Sequence, residues 1–321
     1  MTLLSNYTTI RVGGEPAELR IANTREELIS AAHDVWSTGE DWLVLGGGSN
    51  VVINDDPANL HVIKVESTGI ERVAQGHLRV QAGENWDDFV AYAVNHGLAG
   101  VESLSGIPGT VGAAPVQNIG AYGQELADTF VRCEFLDYET GEIETLEKAD
   151  MQFGYRDSIL KRGKSGIVLW VEFQLLADLP AGSTALMKSR RIEVLEQRAA
   201  KGMLLNEGDS DTHSCGSFFT NPIVSATFAR TLPEDAPRWD VDEDGDRVKL
   251  SAAWLIEHSG IQKGLRLGAS KAGVSTKHAL AITNRGGATA KEVLELARFI
   301  QERVAATFGI SLSPEPSIVG F

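Results

Sequence analysis

Cysteine is scarce in this sequence, long apolar runs are missing, and charge is unbalanced. Cys133 and Cys215 are the only cysteines in 321 residues, too few for a disulfide framework and in keeping with a reducing compartment. The opening "MTLLSNYTTIRVGG" carries neither the basic stretch nor the sustained apolar core of a secretory leader, so a cytoplasmic location is expected. A net charge of −15 argues against a nucleic-acid partner, because a phosphate backbone would be repelled over most of the surface. A small anionic ligand in a locally basic cleft remains compatible with it. The seven histidines are scattered without the short pairings of a metal site, and no structural or catalytic metal is expected. With 43% hydrophobic residues and no repeat or low-complexity segment, the chain can build two or three subdomains with sizeable cores.

One stretch lacks charge altogether. "SGIPGTVGAAPVQNIGAYG", residues 105 to 123, has no Asp, Glu, Lys or Arg in a chain where these make up 23%. Its length would suit a membrane helix, but Pro108, Pro115, Gln117, Asn118 and the glycines would leave backbone groups unpaired in lipid, so no membrane span is expected. Two readings stay open. The run is either a loop whose glycines let backbone amides approach an anion such as a diphosphate, or a tight turn between strands. The same choice applies to "LGGGSN", which is not the G-x-G-x-x-G fingerprint and leads into the strand-like "VVI": a plain hairpin turn or a nest of amides.

Around these loops the pattern alternates. "TREELISAAHDVW" opens with the capping pair Thr24 and Glu27 and puts Leu28, Ala31, Ala32 and Val35 on one helical face. "DWLVL", "LHVIKV" and "HLRVQAG" read as strands, and Asn85 caps a helix that buries Trp86, Phe89, Val90, Ala93 and Val94 and ends at Gly97. From Phe130 the chain reads as a hairpin, "FVRCEFLDYETGEIETL", and then the strand "GIVLWVEFQL". A basic helix over about 184–201 follows; its Lys188, Arg190, Arg191, Arg198 and Lys201 are expected mostly to form a solvated face, with one or two free to meet a phosphate. Asp240, Asp242, Asp244 and Gly245 imitate the start of a calcium loop, but Ser251 stands at the closing position and Pro237 where the entering helix should be, so an acidic hairpin is expected. "TAKEVLELARFIQERVAATFG" is a helix with a capping box at Thr289 and Glu292 and an apolar face of Val293, Leu296, Ala297, Ile300 and Val304.

Three side chains each have a plain structural reading, which for Glu315 is simple solvent exposure, beside a chemical one. Arg156 in "FGYRDSIL" either pairs with a nearby acid or presents its planar fork to a ligand carboxylate. Ser217 in "SCGSFFTNP" is either a core hydroxyl or a proton donor beside a cation, and Glu315 in "SPEPSIVG" is held extended between two prolines.

The ordered set "LGGGSN", the glycine run, "FGYRDSI", "GSFFTNP", "KLSAAWLIEHSGIQKG" and "SPE" resembles the UDP-N-acetylenolpyruvoylglucosamine reductase family, from "NYTTIRVGG" to the C-terminus. The resemblance implies an α+β chain: a two-subdomain FAD-binding module of the p-cresol methylhydroxylase/vanillyl-alcohol oxidase type, residues 1–67 and 68–205, and a substrate-binding α+β domain, 206–321. It implies non-covalent FAD with Gly46, Gly47, Gly48, Ser49, Asn50, Ile107, Pro108, Gly109, Thr110, Gly112 and Ala113 around its diphosphate, and NADPH as hydride donor. By the same resemblance Arg156 and Glu315 polarise the substrate carboxylate and Ser217 protonates C2, while Tyr122, Tyr155, Lys201 and Asn221 contact UDP-N-acetylglucosamine enolpyruvate. A monomer is expected. The rivals are an FAD oxidase of the wider fold family and a non-catalytic flavin- or nucleotide-binding protein; "GSFFTNP" and the retained Ser, Arg and Glu speak against them. The chain departs from the family's longer type in two places. "LPAGSTALMKSRRIEVLEQ" is short and lacks the tyrosine that closes over the nucleotide, and "SPEPSIV" lacks the usual acid before Pro-Glu and the Val-Arg after it.

Overall fold

The computed structural model describes residues 2–242 and 244–321, and these form two compact units. The first comprises residues 16–48 and 58–204; the second comprises 3–15, 49–57 and 205–321.

The first unit holds two sheets. Glu18–Ala22, His61–Val65 and Trp42–Leu45 form a parallel three-stranded sheet with His61–Val65 in the centre. The helix Arg25–Trp36 crosses over it, started by Thr24, whose hydroxyl accepts from the Glu27 amide at 3.1 Å. Its Leu28, Ala31, Ala32 and Val35 are buried as the spacing predicts. The second sheet is antiparallel, in the order Ile143–Glu147, Phe130–Asp137, Gly166–Gln174, His77–Gln81 and Ile70–Ala74. Its central strand is covered on both faces: Val171 and Phe173 join Trp86 and Phe89 of the helix Trp86–Asn95 in one core, while Leu169 and Trp170 join the crossover helix in another. Burial on both sides is why "GIVLWVEFQ" reads as a continuous apolar run and not as an alternation.

One carboxylate interrupts that run. Glu172 is fully buried, with Arg79 Nη2 at 2.8 Å, Arg132 Nε at 2.9 Å and His77 Nε2 at 2.9 Å around it. Burial by itself would raise its pKa, but the hydrogen bonds from Arg132, Arg79 and His77 outweigh this and hold it below the usual carboxylate range.

"LGGGSN" is not a hairpin turn. The strand before it pairs with His61–Val65 in the first unit, whereas Val51–Ile53 after it pairs in parallel with Ser317–Val319 in the second. Both neighbours are parallel partners from distant sequence, which a hairpin cannot supply.

In the second unit Ile223–Ser225, Arg247–Leu250 and Arg238–Asp240 make an antiparallel sheet, and Ala272–Val274 pairs with Ile282–Asn284. The acidic stretch is the expected hairpin: Asp242 accepts from Arg247 Nε at 2.9 Å, and Ser251 caps the helix Ala252–His258. Glu243 lies outside the described residues. The helix Ala290–Phe308 begins at a complete Thr289–Glu292 capping box, ends at Gly309 with φ +68°, and buries the five predicted apolar residues.

Glu172→Ala would leave the guanidinium groups of Arg79 and Arg132 facing each other without their shared carboxylate, so it is expected to cost about 3–5 kcal/mol, read as a lowered thermal midpoint of the apoprotein. Because the folded pKa of Glu172 is depressed, its contribution is present above the unfolded value of about 4.3 and is lost as pH falls through the folded one; an acid titration of stability should show this limb in the parent and a weaker one in the variant.

Candidate active site

In the first unit the two glycine segments touch. A Cβ on Gly47 would lie 2.6 Å from Gly109 Cα, and one on Gly46 would collide with the Thr110 side chain. Gly48 and Gly109 have φ of +62° and +129°, conformations that favour glycine. The far side of the loop is fixed: Gly112 donates to Ala82 O at 2.8 Å, Val111 to Glu84 O at 2.9 Å, and Gly109 O accepts from the Trp86 amide at 3.1 Å. Among the described residues, no backbone carbonyl accepts from the amides of Gly46, Gly47, Gly48, Gly109 or Thr110. The result is a neutral cradle of N–H donors, suited to an anion whose charge spreads over several oxygens. Beside it lies a cavity of about 230 Å³ lined by Gly46, Thr110 and Ala113 and by the apolar Trp42, Val44 and Val168.

The turn reading of the glycine run applies to its end. Residues 107–113 are the loop; the end is a hairpin, Gly120–Ala121 against Gln124–Glu125, joined by Tyr122 and Gly123 with φ of +50° and +86°, the pattern of a type I′ turn. That turn displays Tyr122 between two cations, with Arg190 Cζ 5.8 Å and Lys201 Nζ 5.7 Å from its ring centre.

Arg156 is attached to the same hairpin. Its Nη2 donates to Gly120 O at 2.5 Å, its guanidinium lies 5.4 Å from the centre of the Tyr155 ring, and the neighbouring acid, Asp157, is taken by Arg162. Arg156 itself has φ +53°, uncommon for a non-glycine residue and often found at functional positions. The segment is pinned by Ser158 Oγ, donating to Val116 O at 2.6 Å, and by buried Asn118, whose Nδ2 donates to Gly154 O at 3.1 Å.

The basic helix, Ser183–Ala200, corrects the expectation of a solvated face. Lys188 is exposed, but Arg191 grips Asp87 with both nitrogens, at 2.5 and 2.8 Å, and Arg198 donates to Gly106 O at 3.0 Å. Nothing in the sequence singles out Asp87, a first-turn acid of the helix Trp86–Asn95.

In the second unit "SCGSFFTNP" bends between two neighbouring stretches of backbone. Phe218 donates to Leu280 O at 2.8 Å on one side, and on the other Phe218 O accepts from the Glu315 amide at 2.9 Å. Gly216, with φ +68°, turns the chain before Ser217, so Ser217 and Glu315 sit on adjacent backbone. Glu315 is half-buried, not exposed as a proline-flanked glutamate usually is. Asn50 Nδ2 donates to Glu315 O at 3.3 Å, and Asn221 Oδ1 accepts from the Ala252 amide at 2.9 Å, which gives Asn221 a helix-capping contact. Gly46–Gly48, the loop, Tyr122, Tyr155, Arg156 and Lys201 thus belong to the first unit, and Ser49, Asn50, Ser217, Asn221 and Glu315 to the second.

A family model of an FAD binding domain matches residues 16–147, and one of the UDP-N-acetylenolpyruvoylglucosamine reductase C-terminal domain matches residues 208–319. Over 99% of its length the chain is 47% identical to the UDP-N-acetylenolpyruvoylglucosamine reductase of Leifsonia xyli subsp. xyli, covering 98% of that protein. The chain belongs to this reductase family. A Mycobacterium sp. (strain MCS) member is 44% identical over 99% of the chain and 95% of its own length. The crystal structure of the Thermus caldophilus reductase matches with a TM-score of 0.71 at 31% identity, over 99% of this chain and 97% of that one. The fold is accordingly α+β, an FAD-binding domain with a reductase C-terminal domain, and the chain is a flavin-dependent oxidoreductase. The neutral cradle and its apolar cavity fit that cofactor: amides for a diphosphate, an apolar wall for a flat ring.

Gly47→Ala forces the two glycine segments apart. It is expected to weaken FAD binding by ~10-fold or more with far-ultraviolet circular dichroism unchanged, as read by fluorescence titration of the apoprotein.

Proposed function

We propose that this reductase converts UDP-N-acetylglucosamine enolpyruvate to UDP-N-acetylmuramate with NADPH, and that its residues divide the work as follows. FAD, when bound, supplies the hydride relay between NADPH and C3 of the vinyl ether. The loops 46–50 and 107–113 contain no His, Cys or Tyr to which a flavin could be attached, which supports non-covalent binding. Arg156 and Glu315 polarise the substrate carboxylate as negative charge grows on it, and Ser217 gives its proton to C2. Arg156 suits this role because its planar fork can hold a carboxylate by two parallel hydrogen bonds, which an ammonium cannot. Tyr122, Tyr155, Lys201 and Asn221 hold the nucleotide; the two cations beside Tyr122 suit its phosphates.

The observation that carries the reading is the match to family members along the whole chain, together with the retained Ser217, Arg156 and Glu315. Residues 1–67 and 68–205 would be the two cofactor subdomains and 206–321 the substrate domain, in a cytoplasmic monomer. The product feeds peptidoglycan synthesis, and through it cell-wall assembly, cell shape and division. The test is direct: purified protein should be yellow or take up FAD, NADPH should bleach it without oxygen, and the enolpyruvyl nucleotide should restore the colour. Protein that takes up no FAD would overturn the reading.

Two substitutions separate the roles. Ser217→Ala should leave bleaching by NADPH nearly intact and slow the return of colour with substrate by ~10²-fold or more, the contribution of a positioned general acid. Ser217→Cys, which keeps a weaker donor, should fall between the two. A hydroxyl that only packs would instead cost about 1 kcal/mol of stability and spare both rates. Arg156→Lys should lose most of the substrate step in protein that stays folded and yellow, and near-normal turnover would refute its assignment.

A further inference from the structure

Gly106, the residue immediately before the cradle loop, is held in an unusual way. Its N–H donates to Asp87 Oδ1 at 2.6 Å and its carbonyl accepts from Arg198 Nε at 3.0 Å, so side chains of two different helices take both of its backbone polar groups. Asp87 lies in the first turn of Trp86–Asn95 and is clamped by both nitrogens of Arg191 from the basic helix. Arg198 Nη2 donates onward to Met203 O at 2.9 Å. Gly106 has φ +71°, and a Cβ there would press on Leu195 Cδ2 at 2.8 Å and on Arg198 Cδ at 3.3 Å, so the loop begins hard against the basic helix. From the other helix, the Trp86 indole donates to Leu104 O at 3.0 Å and the Trp86 amide to Gly109 O at 3.1 Å.

The electrostatics favour this arrangement. Burial would raise the pKa of Asp87, but Arg191 and the Gly106 amide outweigh it and keep the carboxylate ionised. Burial weakens the protonated form of Arg198, partly offset by Tyr122 and Asp87, yet a guanidinium stays charged. The hydrogen bonds that Arg198 makes go to carbonyls, so a positive charge stands beside the start of the loop.

We propose that Asp87, Arg191 and Arg198 are positioning residues of the cofactor site, which fix Gly106 so that the 107–113 loop meets Gly46–Gly48 before the diphosphate of the flavin dinucleotide arrives. The idea deepens the FAD reading and rests on it. Preformed donors bind more tightly than donors that must first be ordered, because the ordering cost is met during folding.

The experiment compares apoprotein of the parent with Asp87→Asn, which keeps an acceptor for Gly106 but loses the ion pair, and Asp87→Leu, which loses both. FAD affinity is read by fluorescence titration and loop order by amide hydrogen exchange of the 105–113 peptide. Asp87→Leu should bind FAD ~10- to 100-fold more weakly, the range outer-shell partners command at metal sites, with faster exchange in the loop. Asp87→Asn should be intermediate in both, and its isosteric side chain keeps the test valid if Asp87→Leu fails to fold. Parent-like affinity and exchange in the variants, or a lowered melting temperature with affinity unchanged, would overturn the proposal while leaving the FAD reading intact. Parent protein that takes up no FAD would overturn both.

Discussion

The cofactor module depends on one close approach, that of Gly47 to Gly109. A Cβ on Gly47 would meet Gly109 Cα at 2.6 Å, so no side chain fits at Gly47 while the two backbones stay this close. Binding strength for an anion has to come from amides, and amides act only if they are aimed and left uncommitted. The rest of the first unit can be understood as meeting that demand. Trp86 and the strand ending at Gln81 tie down the far side of the loop, Asn118 and Ser158 tie its continuation to the Arg156 segment, and the basic helix secures its beginning.

This also explains how a chain of strongly negative net charge serves anionic ligands. Three arginines of one helix are engaged by the first unit: Arg190 lies beside Tyr122, Arg198 holds Gly106, and Arg191 holds the carboxylate that holds the loop, while the exposed Lys201 at the end of the helix also stands beside Tyr122. Net charge governs what approaches from a distance; the site is governed by the few cations within hydrogen-bonding reach.

How much could be read from the sequence depended on range. The helices at Arg25, Trp86 and Ala290 were legible because their caps and apolar faces are encoded within a few residues, as were the Phe130–Glu147 hairpin and the acidic one. The strands Glu18–Ala22 and Ile70–Ala74 were missed, the first being one edge of a parallel sheet whose partner is far along the chain. "LGGGSN" misled for the same reason, since two short strands around a glycine turn look like a hairpin whether or not they pair. The close approach of the two glycine segments had its signal in the neutral, glycine-rich composition of both. Asp87, Arg191 and Arg198 had none, because a first-turn acid and a charged helix look alike in sequence whether they face water or a loop.

The order in which the two units can form follows from how the chain is shared between them. The residues of the first unit all precede residue 205, so they are synthesised before most of the second. The second uses residues 3–15 and 49–57, made early, and cannot be completed until Ser317–Val319 emerges to pair with Val51–Ile53. Until then that short apolar strand has an unfilled edge, and Asn50, whose carbonyl accepts from the Ser317 amide, has no anchor there. The parallel pair therefore closes the second unit across the chain, joining residues 51–53 to 317–319 beside the backbone hydrogen bond from Glu315 to Phe218.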